Sequence, residues 1–462
     1  MNNDEKSIAQ TAQDLRDGVV TSVALTQSLI RKIEETNQYT HAFNQFNPQA
    51  ALEEAQQADL EISAGKARSL LHGIPYGVKD IYDIKGLPTT CHSKLRLEHV
   101  AQEDATAVRK MRDAGAIVLG KLATHEFALG GPSFDLPYPP ARNPWDLAHI
   151  PGGSSSGSGS AIAAGYTRLA LGTCTGGSIR IPAAWCGTVG LKPTYGRVSK
   201  YGVYPLAWSL DHCGPLARSV DDAAIALQVL AGFDPQDPNS ANVPVSDYRA
   251  NLDKGVQGLK IGVPKKLFQG HPLLNADCGK AIDNTIEQLR QAGALVEEID
   301  FPAGELFLAC GRVINTAEMY TIHAPDLRKR PLDYGELTLP RLALGATVSA
   351  EDYINAQRVR RRLSEEVERI FEKFDVILTA VTLDTAPKFN PTPHFRSWPV
   401  QTYAFNVTGH PAISVPVGLA QNGLPMAVQV VGKYFDEAGI LQVARAIEKL
   451  SGWEQVPLPV LN

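Results

Sequence analysis

The sequence predicts an α/β fold with a mostly parallel sheet, and two observations support this prediction. Residues 106–114 have the pattern of a helix, residues 116–120 form an apolar run typical of a buried strand, and this alternation continues past Gly196. The chain has 462 residues, of which 44% are hydrophobic and 20% charged. That composition is typical of a large soluble enzyme with a sizeable core.

The composition also argues against several classes of protein. A formal net charge of -5 gives no basic surface for nucleic acid, and no apolar run is long enough to cross a bilayer. The first ten residues lack the positive and apolar regions of a Sec signal, and the six cysteines include no CxxC pair, so we expect a cytoplasmic protein with reduced thiols. The 11 histidines show no metal-ligand spacing, so neither a metal nor another cofactor is expected.

The N-terminal segment is predicted to be helical. Ser22 is a candidate cap for a helix whose apolar residues, such as Leu25 and Ile33, recur about every four positions. A second helix is expected over residues 49–63, with Pro48 in its first turn. These helices carry no evident chemistry, so we expect them to pack against the core or to face a partner.

Four segments are predicted along the chain. Residues 1–65 form the helical segment, residues 66–234 a core with the candidate catalytic residues, residues 235–372 an insertion over the cleft, and residues 373–462 the C-terminal part of the core sheet. In the second half of the chain, strands are predicted at 259–263, 296–299 and 375–379, and helices at 276–292, 305–319 and 351–374.

Two glycine-serine clusters, at residues 152–157 and 176–178, are the most informative part of the chain. A flexible linker is one interpretation of such a composition. However, core-like segments at residues 161–164 and 169–171 separate the clusters, which predicts that the glycines lie in a packed domain. Glycine lets the backbone approach a bound atom closely, and serine supplies a hydroxyl that can attack or relay a proton.

Further motifs occur along the chain: GIPYGVKD at 73–80, CGTVGLKPT at 186–194, FNVTGHPAISVP at 405–416 and PMAVQ at 425–429. Together with the two clusters, they resemble the amidase signature family of serine hydrolases over most of the chain. The resemblance implies the amidase signature fold, in which a large mixed, mostly parallel β-sheet is covered by helices on both faces. It also implies an amidase that hydrolyses C–N bonds other than peptide bonds.

Three residues match the catalytic positions of that family. The resemblance identifies Ser178 as the nucleophile, Ser154 as a bridging serine after a cis peptide bond from Gly153, and Lys79 as the base of a Ser-Ser-Lys triad. A lysine that ends a strand is more often a solvated surface residue, and it can act as a base only where burial lowers its pKa. The resemblance therefore implies that Lys79 draws a proton through Ser154 from Ser178, which attacks the amide carbonyl.

The second cluster supplies candidates for the oxyanion hole. These are the backbone N–H groups of Thr175, Gly176, Gly177 and Ser178, since glycines let such donors converge on one oxygen. A plain helix N-terminus is the alternative interpretation of these residues.

One position departs from the GTDxGGS pattern that is usual in the family. Cys174 stands where the family has an aspartate, which is expected to pair with the arginine after the nucleophile, here Arg180. We therefore expect Arg180 to bond backbone carbonyls or a different carboxylate. Cys174 as the nucleophile is a rival hypothesis, which the intact context of Ser178 disfavours.

Candidate substrate contacts occur in two regions. Gly130 and Gly131 lie in a loop at the expected substrate rim, where family members commonly carry serine and asparagine. Residues 318–331 do not match the SSNLARYDG-like segment of the amidotransferase A subunit, and they look nearer to biuret hydrolases and to amidases that accept carbamates. In this region Tyr320 and His323 either contact the substrate or are ordinary polar groups of the fold.

Three functions are compatible with these residues. The first is an amidase that cleaves small to medium linear amides through a serine acyl-enzyme, with carbamate, biuret or urea-type substrates as extensions. The second is the catalytic subunit of an amidotransferase-like complex. The third is a binding protein with a dead site, against which the intact Lys79, Ser154 and Ser178 argue. We expect a small-molecule amide or carbamate as substrate, a monomer or homodimer, and neither nucleic acid nor membrane as partner.

Overall fold

The computed structural model describes residues 6–389 and 400–461. Eleven strands of these residues form one sheet in the order β1-β3-β2-β4-β6-β5-β10-β11-β9-β7-β8. The strands are β1 (Phe43–Phe46), β2 (Pro75–Lys79), β3 (Ile117–Leu122), β4 (Leu169–Cys174), β5 (Val189–Lys192), β6 (His212–Ala217), β7 (Lys260–Val263), β8 (Leu295–Glu298), β9 (Val376–Ala380), β10 (Ala412–Leu419) and β11 (Pro425–Gly432). Every one of the four predicted segments contributes at least one strand, and the division into four stays a prediction.

The sheet is large and mixed, as the fold class predicts, but the expectation that it is mostly parallel is wrong. Among the described strands, four pairings are parallel (β2 with β3, β2 with β4, β7 with β8, β7 with β9) and six are antiparallel. For one antiparallel pair the reason is the short connection. A short turn joins β10 to β11, and neighbouring strands that are joined by so short a turn must be antiparallel.

Helices flank the sheet. They are α1 (Ile8–Arg16), α2 (Ser22–Thr40), α3 (Pro48–Ser63), α4 (Thr106–Asp113), α5 (Ser156–Ala163), α6 (Arg180–Cys186), α7 (Val220–Leu230), α8 (Ala276–Gln291), α9 (Gly304–Lys329), α10 (Leu339–Ala343), α11 (Ala350–Ile370), α12 (Val400–Val407) and α13 (Glu437–Ser451). Successive residues of a strand face opposite sides of a sheet. In β3, Val118 belongs to one buried apolar cluster while Ile117 and Leu119 belong to another, so both faces of the sheet are packed.

The structure corrects three details of the predicted elements. The N-terminal segment contains a strand, β1, which pairs with β3. Thr21, not Ser22, caps α2, and the Ser22 hydroxyl instead donates to the carbonyl of Gly73 at 2.8 Å. The helix predicted to end at residue 319 continues to Lys329, with Pro325 inside it.

In the part of the chain that the structure describes, no helix is both long enough and apolar enough to span a membrane.

Candidate active site

The candidate site lies where two neighbouring parallel strands end. β2 ends at Lys79 and β4 ends at Cys174, and the register pairs Val78 with Leu171. Because parallel strands carry their carboxyl ends to the same edge of the sheet, Lys79 lies beside Thr173 and beside the loop that follows β4. Such an edge is where ligands bind in open α/β sheets.

Lys79 is fully buried and bonded to two hydroxyl groups. Its Nζ donates to Ser154 Oγ at 2.7 Å and to Thr173 Oγ1 at 2.8 Å. Burial lowers the pKa of Lys79 to about 7, because the charged ammonium loses its water. The adjacent carboxylate of Asp80 forms an ion pair with the buried Lys121 at 3.0 Å instead, so it does not hold Lys79 in the charged form.

Ser154 follows a cis peptide bond from Gly153, as the resemblance implies. The carbonyl of Ser154 accepts from the N–H groups of His125 and Ser156, which hold the residue at the start of α5. Gly153 has no room for a side chain, since a Cβ there would lie 2.0 Å from the His125 ring. Burial lowers the pKa of His125 to about 3, so this imidazole is neutral at physiological pH.

The backbone carbonyl groups of Gly176, Gly177 and Ser178 accept hydrogen bonds from other parts of the protein. The Gly176 carbonyl accepts from Thr402 Oγ1 at 2.6 Å, the Gly177 carbonyl from the Ile181 N–H at 2.8 Å, and the Ser178 carbonyl from the Ser155 N–H at 3.2 Å. Within the described residues, the N–H groups of residues 175–178 donate to no protein acceptor. Their role as an oxyanion hole stays a prediction.

Ser178 is half-buried. Among the described residues Ser178 Oγ has no hydrogen-bond partner, and it is not bonded to Ser154 Oγ. The neighbouring serines have structural partners: Ser155 Oγ donates to the Thr173 carbonyl at 3.2 Å, and Ser156 Oγ donates to the Ala123 carbonyl at 3.4 Å.

Asp211 anchors the start of the same loop. One oxygen of this buried carboxylate accepts from Thr175 Oγ1 at 2.6 Å, and the other accepts from the N–H groups of Leu206 and Ala207 at 2.8 and 3.0 Å. The loop is thus tied to the chain segment around residue 206.

Arg180 is buried beneath the loop and has several partners. Its Nη atoms donate to Gln429 Oε1 at 2.6 Å, to Asn406 Oδ1 at 2.5 Å and to the Thr402 carbonyl at 3.0 Å. The expected backbone carbonyl is present, but the other acceptors are amide oxygens, not a carboxylate. Cys174 Sγ lies 3.5 Å from Arg180 Nη2. Burial raises the pKa of this thiol, but Arg180, the Ile179 backbone and Lys192 together bring it below its ordinary value. Cys174 is fully buried, which argues against its role as nucleophile.

The predicted substrate contacts lie in different surroundings. Gly130 adopts a positive φ of +99°, and a Cβ there would lie 2.3 Å from Arg341 Nη1. Gly131 lines a cavity of only about 10 Å³ together with His125 and Ser156. Their substrate role stays a prediction.

The two candidates on α9 are part of its packing. Tyr320 is half-buried against Gly345. His323 is buried, bonds Tyr334 Oη through Nδ1 at 3.0 Å, and contacts the edge of the Phe127 ring with centroids 4.5 Å apart. Burial lowers the pKa of His323 to about 4, so it carries no charge with which to hold an anion at neutral pH. A substrate contact at either residue stays a prediction.

A cavity of about 320 Å³ adjoins Thr173 and Thr175. We call it the Thr173 cavity. Ile81, Val203 and Leu206 line its wall, and the exposed Gln236 lies at its rim. The described residues contain no group of three or more His, Cys, Asp or Glu side chains that could hold a metal ion.

Comparison with known proteins decides the family. The sequence model of the Amidase family matches residues 24–441. The chain belongs to the amidase family.

Three similar proteins illustrate the likeness. The A subunit of glutamyl-tRNA(Gln) amidotransferase from Geobacter sp. (strain M21) is 38% identical, over 98% of this chain and 99% of the relative. A solved structure described as a vestigial protein complex that reveals the origins of an s-triazine catabolic enzyme has a TM-score of 0.92 and 32% identity, covering 96% of this chain and 98% of the other. A bacterial aryl acylamidase of the amidase signature family has a TM-score of 0.88 and 27% identity, covering 98% and 97%.

These relatives correct one expectation. The sequence suggested a position nearer to biuret hydrolases and carbamate-accepting amidases than to the amidotransferase A subunit, but curated relatives that match at 38% identity over almost the whole chain are A subunits. Residues 318–331 were a poor guide to the relatives: most of this stretch belongs to α9, where Tyr320 and His323 contact other parts of the fold.

Two contacts of the site were missed from the sequence. Thr173 bonds Lys79, and Asp211 bonds Thr175. A signal for Thr173 existed: it is a polar residue near the end of an apolar strand, just before the second glycine-serine cluster. Nothing in the sequence indicated that Asp211 returns to this edge.

Proposed function

We propose that this chain hydrolyses the C–N bond of a carboxamide through an acyl ester on Ser178. One observation carries the proposal: the amine of the fully buried Lys79 lies 2.7 Å from Ser154 Oγ, and burial lowers its pKa to about 7. A base with that pKa is about half neutral at pH 7 and can accept a proton near neutrality.

The reaction begins when neutral Lys79 takes a proton from Ser154, which in turn takes the proton of Ser178. Hydrogen bonds along such a relay often close only when substrate is bound, which accommodates the half-buried, unbonded Ser178 hydroxyl. Ser178 Oγ then forms a bond to the amide carbon, and the N–H groups of residues 175–178 stabilise the oxyanion.

The proton returns through Ser154 to the amide nitrogen, the C–N bond breaks, and the amine leaves. Water activated by the same relay then attacks the ester and releases the carboxylic acid. Carbamates and urea-type compounds present a similar carbonyl next to nitrogen, so their hydrolysis stays a prediction of the same chemistry.

The test uses a fluorophosphonate probe and a panel of primary amides, anilides and carbamates. We expect wild type to be labelled on Ser178 and Ser178→Ala to lose activity by about 10⁴-fold or more, as for other activated serines. Lys79→Ala should abolish turnover and Ser154→Ala should reduce it severely, whereas Ser63→Ala, at an exposed serine, should match wild type. Equal hydrolysis by wild type and Ser178→Ala would refute the proposal.

A second candidate is the catalytic subunit of an amidotransferase-like complex. The 38% identity to the Geobacter relative over 98% of the chain favours it. Copurification of the tagged chain with small partner proteins, and glutamine hydrolysis that rises when they are present, would support this candidate. Full activity of the isolated chain on simple amides, with no partner recovered, would support the stand-alone amidase and the predicted monomer or homodimer.

A further inference from the structure

We propose that Thr402 is a positioning residue of the oxyanion hole, because its hydroxyl fixes the direction of the peptide group between Gly176 and Gly177. This inference rests on the proposed amide hydrolysis, and it adds to that reaction a residue from a distant part of the chain. Thr402 is a fully buried residue of α12, 226 positions after Gly176. It acts on the substrate through the loop and not by contact.

The peptide group between Gly176 and Gly177 needs a support from outside the loop. Neither residue has a side chain, and glycine reaches more backbone conformations than other residues do. Gly177 has a φ of +148°, in the region that favours glycine. The two residues by themselves therefore do not select one orientation of this peptide group.

The Thr402 hydroxyl supplies that support. Its Oγ1 donates to the Gly176 carbonyl at 2.6 Å. In a trans peptide the carbonyl and the following N–H point in opposite directions, so the Gly177 N–H points away from Thr402. Within the described residues this N–H donates to no protein acceptor. The hydrogen bond on one side of the peptide thus presents a free donor on the other side, next to Ser178.

Thr402 is itself held in place by the core. Arg180 Nη2 donates to the Thr402 carbonyl at 3.0 Å, and Gln429 Nε2 donates to the carbonyl of the preceding Gln401 at 3.2 Å. The loop also packs closely on the hydroxyl, since a Cβ at Gly177 would lie 2.2 Å from Thr402 Oγ1. A donor that is fixed in this way before the reaction needs no reorganisation when the negative charge develops.

The experiment removes the hydroxyl and follows hydrolysis of the best amide substrate found in the panel above. Thr402→Val and Thr402→Ala both lack the donor to Gly176. Loss of an oxyanion donor typically lowers kcat about 10²–10³-fold, and here the donor stays but loses its fixed direction, so we expect kcat to fall at least about tenfold. KM should stay within about twofold, because the oxyanion develops only toward the transition state. Thr402→Ser keeps the hydroxyl and should stay close to wild type.

Thr285→Val is the matched control. Thr285 is also buried in a helix, α8, and its hydroxyl also donates to a backbone carbonyl, that of Ala281 at 2.8 Å. This variant should change neither kcat nor KM. Each rate is divided by the fraction of chains that a fluorophosphonate labels on Ser178 at completion, so that a loss of folded protein is not counted as a loss of kcat. The midpoint of the pH profile should not move, since the contacts of Lys79 are unchanged.

Other outcomes overturn the inference. A smaller fall in kcat for both Thr402→Val and Thr402→Ala would show that the hydroxyl does not matter to the oxyanion. A rise in KM at constant kcat would assign Thr402 to substrate binding, and an equal loss in Thr402→Ser would show that the hydroxyl is not the cause. If wild type and Ser178→Ala hydrolyse the substrate equally, the proposed function itself fails, which is a distinguishable result.

Discussion

Replacing Lys79 by methionine is expected to abolish activity and to change stability in a pH-dependent way. The pKa of Lys79 is about 7 in the folded protein, against an ordinary value of 10.5, because the amine is fully buried. Between these two pH values the unfolded chain binds more protons than the folded one, so the stability of wild type rises with pH across that window and is flat below it.

The size of this effect follows from the two pKa values. At 1.36 kcal/mol per pKa unit, burial of the amine lowers the free energy of unfolding by about 4 kcal/mol at pH 7 and by about 2 kcal/mol at pH 9. Lys79→Met removes this term but also leaves the hydroxyls of Ser154 and Thr173 without their donor, at a cost of about 1–3 kcal/mol each. That cost is the same at both pH values and cancels in the comparison between them.

We therefore expect the stability of Lys79→Met, relative to wild type, to be about 2 kcal/mol greater at pH 7 than at pH 9. Urea-induced unfolding, followed by tryptophan fluorescence at the two pH values, measures this difference. Lys66→Met, at an exposed lysine, is the matched control and should show none. An identical stability difference at pH 7 and pH 9 would show that Lys79 keeps an ordinary pKa, and the proposed base would lose its support.

Three further outcomes are expected. The kcat/KM should rise about tenfold per pH unit below pH 7 and level off above it, since only neutral Lys79 accepts a proton; a flat profile from pH 6 to 9 would contradict this. Thr173→Val removes an acceptor that favours the charged lysine, so the midpoint of the same profile should move to lower pH; an unmoved midpoint would show that the bond is irrelevant. Gly153→Ala forces a methyl group against the His125 ring and should reduce kcat/KM about a hundredfold, as small displacements at a reacting centre do. Gly304→Ala, where the nearest atom is 3.5 Å away, should keep wild-type activity, and equal activity of the two variants would argue against steric control at Gly153.

The parts of this protein that were predictable from its sequence depend on local patterns. Glycine and serine clusters between apolar segments indicated a packed site, and the α/β alternation indicated a layered fold. The strand that ends at Lys79 was predictable for the same reason, because a short apolar run and its polar terminus lie within a few residues. The structure brings Lys79 Nζ within 2.7 Å of Ser154 Oγ, although the two residues are 75 positions apart in the chain.

The remaining features depend on pairings between distant segments, for which one sequence carries little signal. β5 pairs antiparallel with β10, which lies more than 200 residues later in the chain. Because of such long-range pairings, the sheet is less parallel than the alternation of strands and helices in the sequence suggested. The partners of Arg180 are another example. The absence of the usual aspartate at position 174 was visible, but nothing indicated that Asn406 and Gln429 would supply oxygen atoms instead.

The distance along the chain between Arg180 and its partners has a consequence for protein synthesis. Gln429 leaves the ribosome 249 residues after Arg180, and Asn406 leaves it 226 residues after. Until then the guanidinium under the Ser178 loop lacks both of these amide oxygens, and burying it would be unfavourable. We therefore expect a nascent or truncated chain to lack the contacts that support the Ser178 loop, and the proposed hydrolysis to require that the C-terminal strands have joined the sheet.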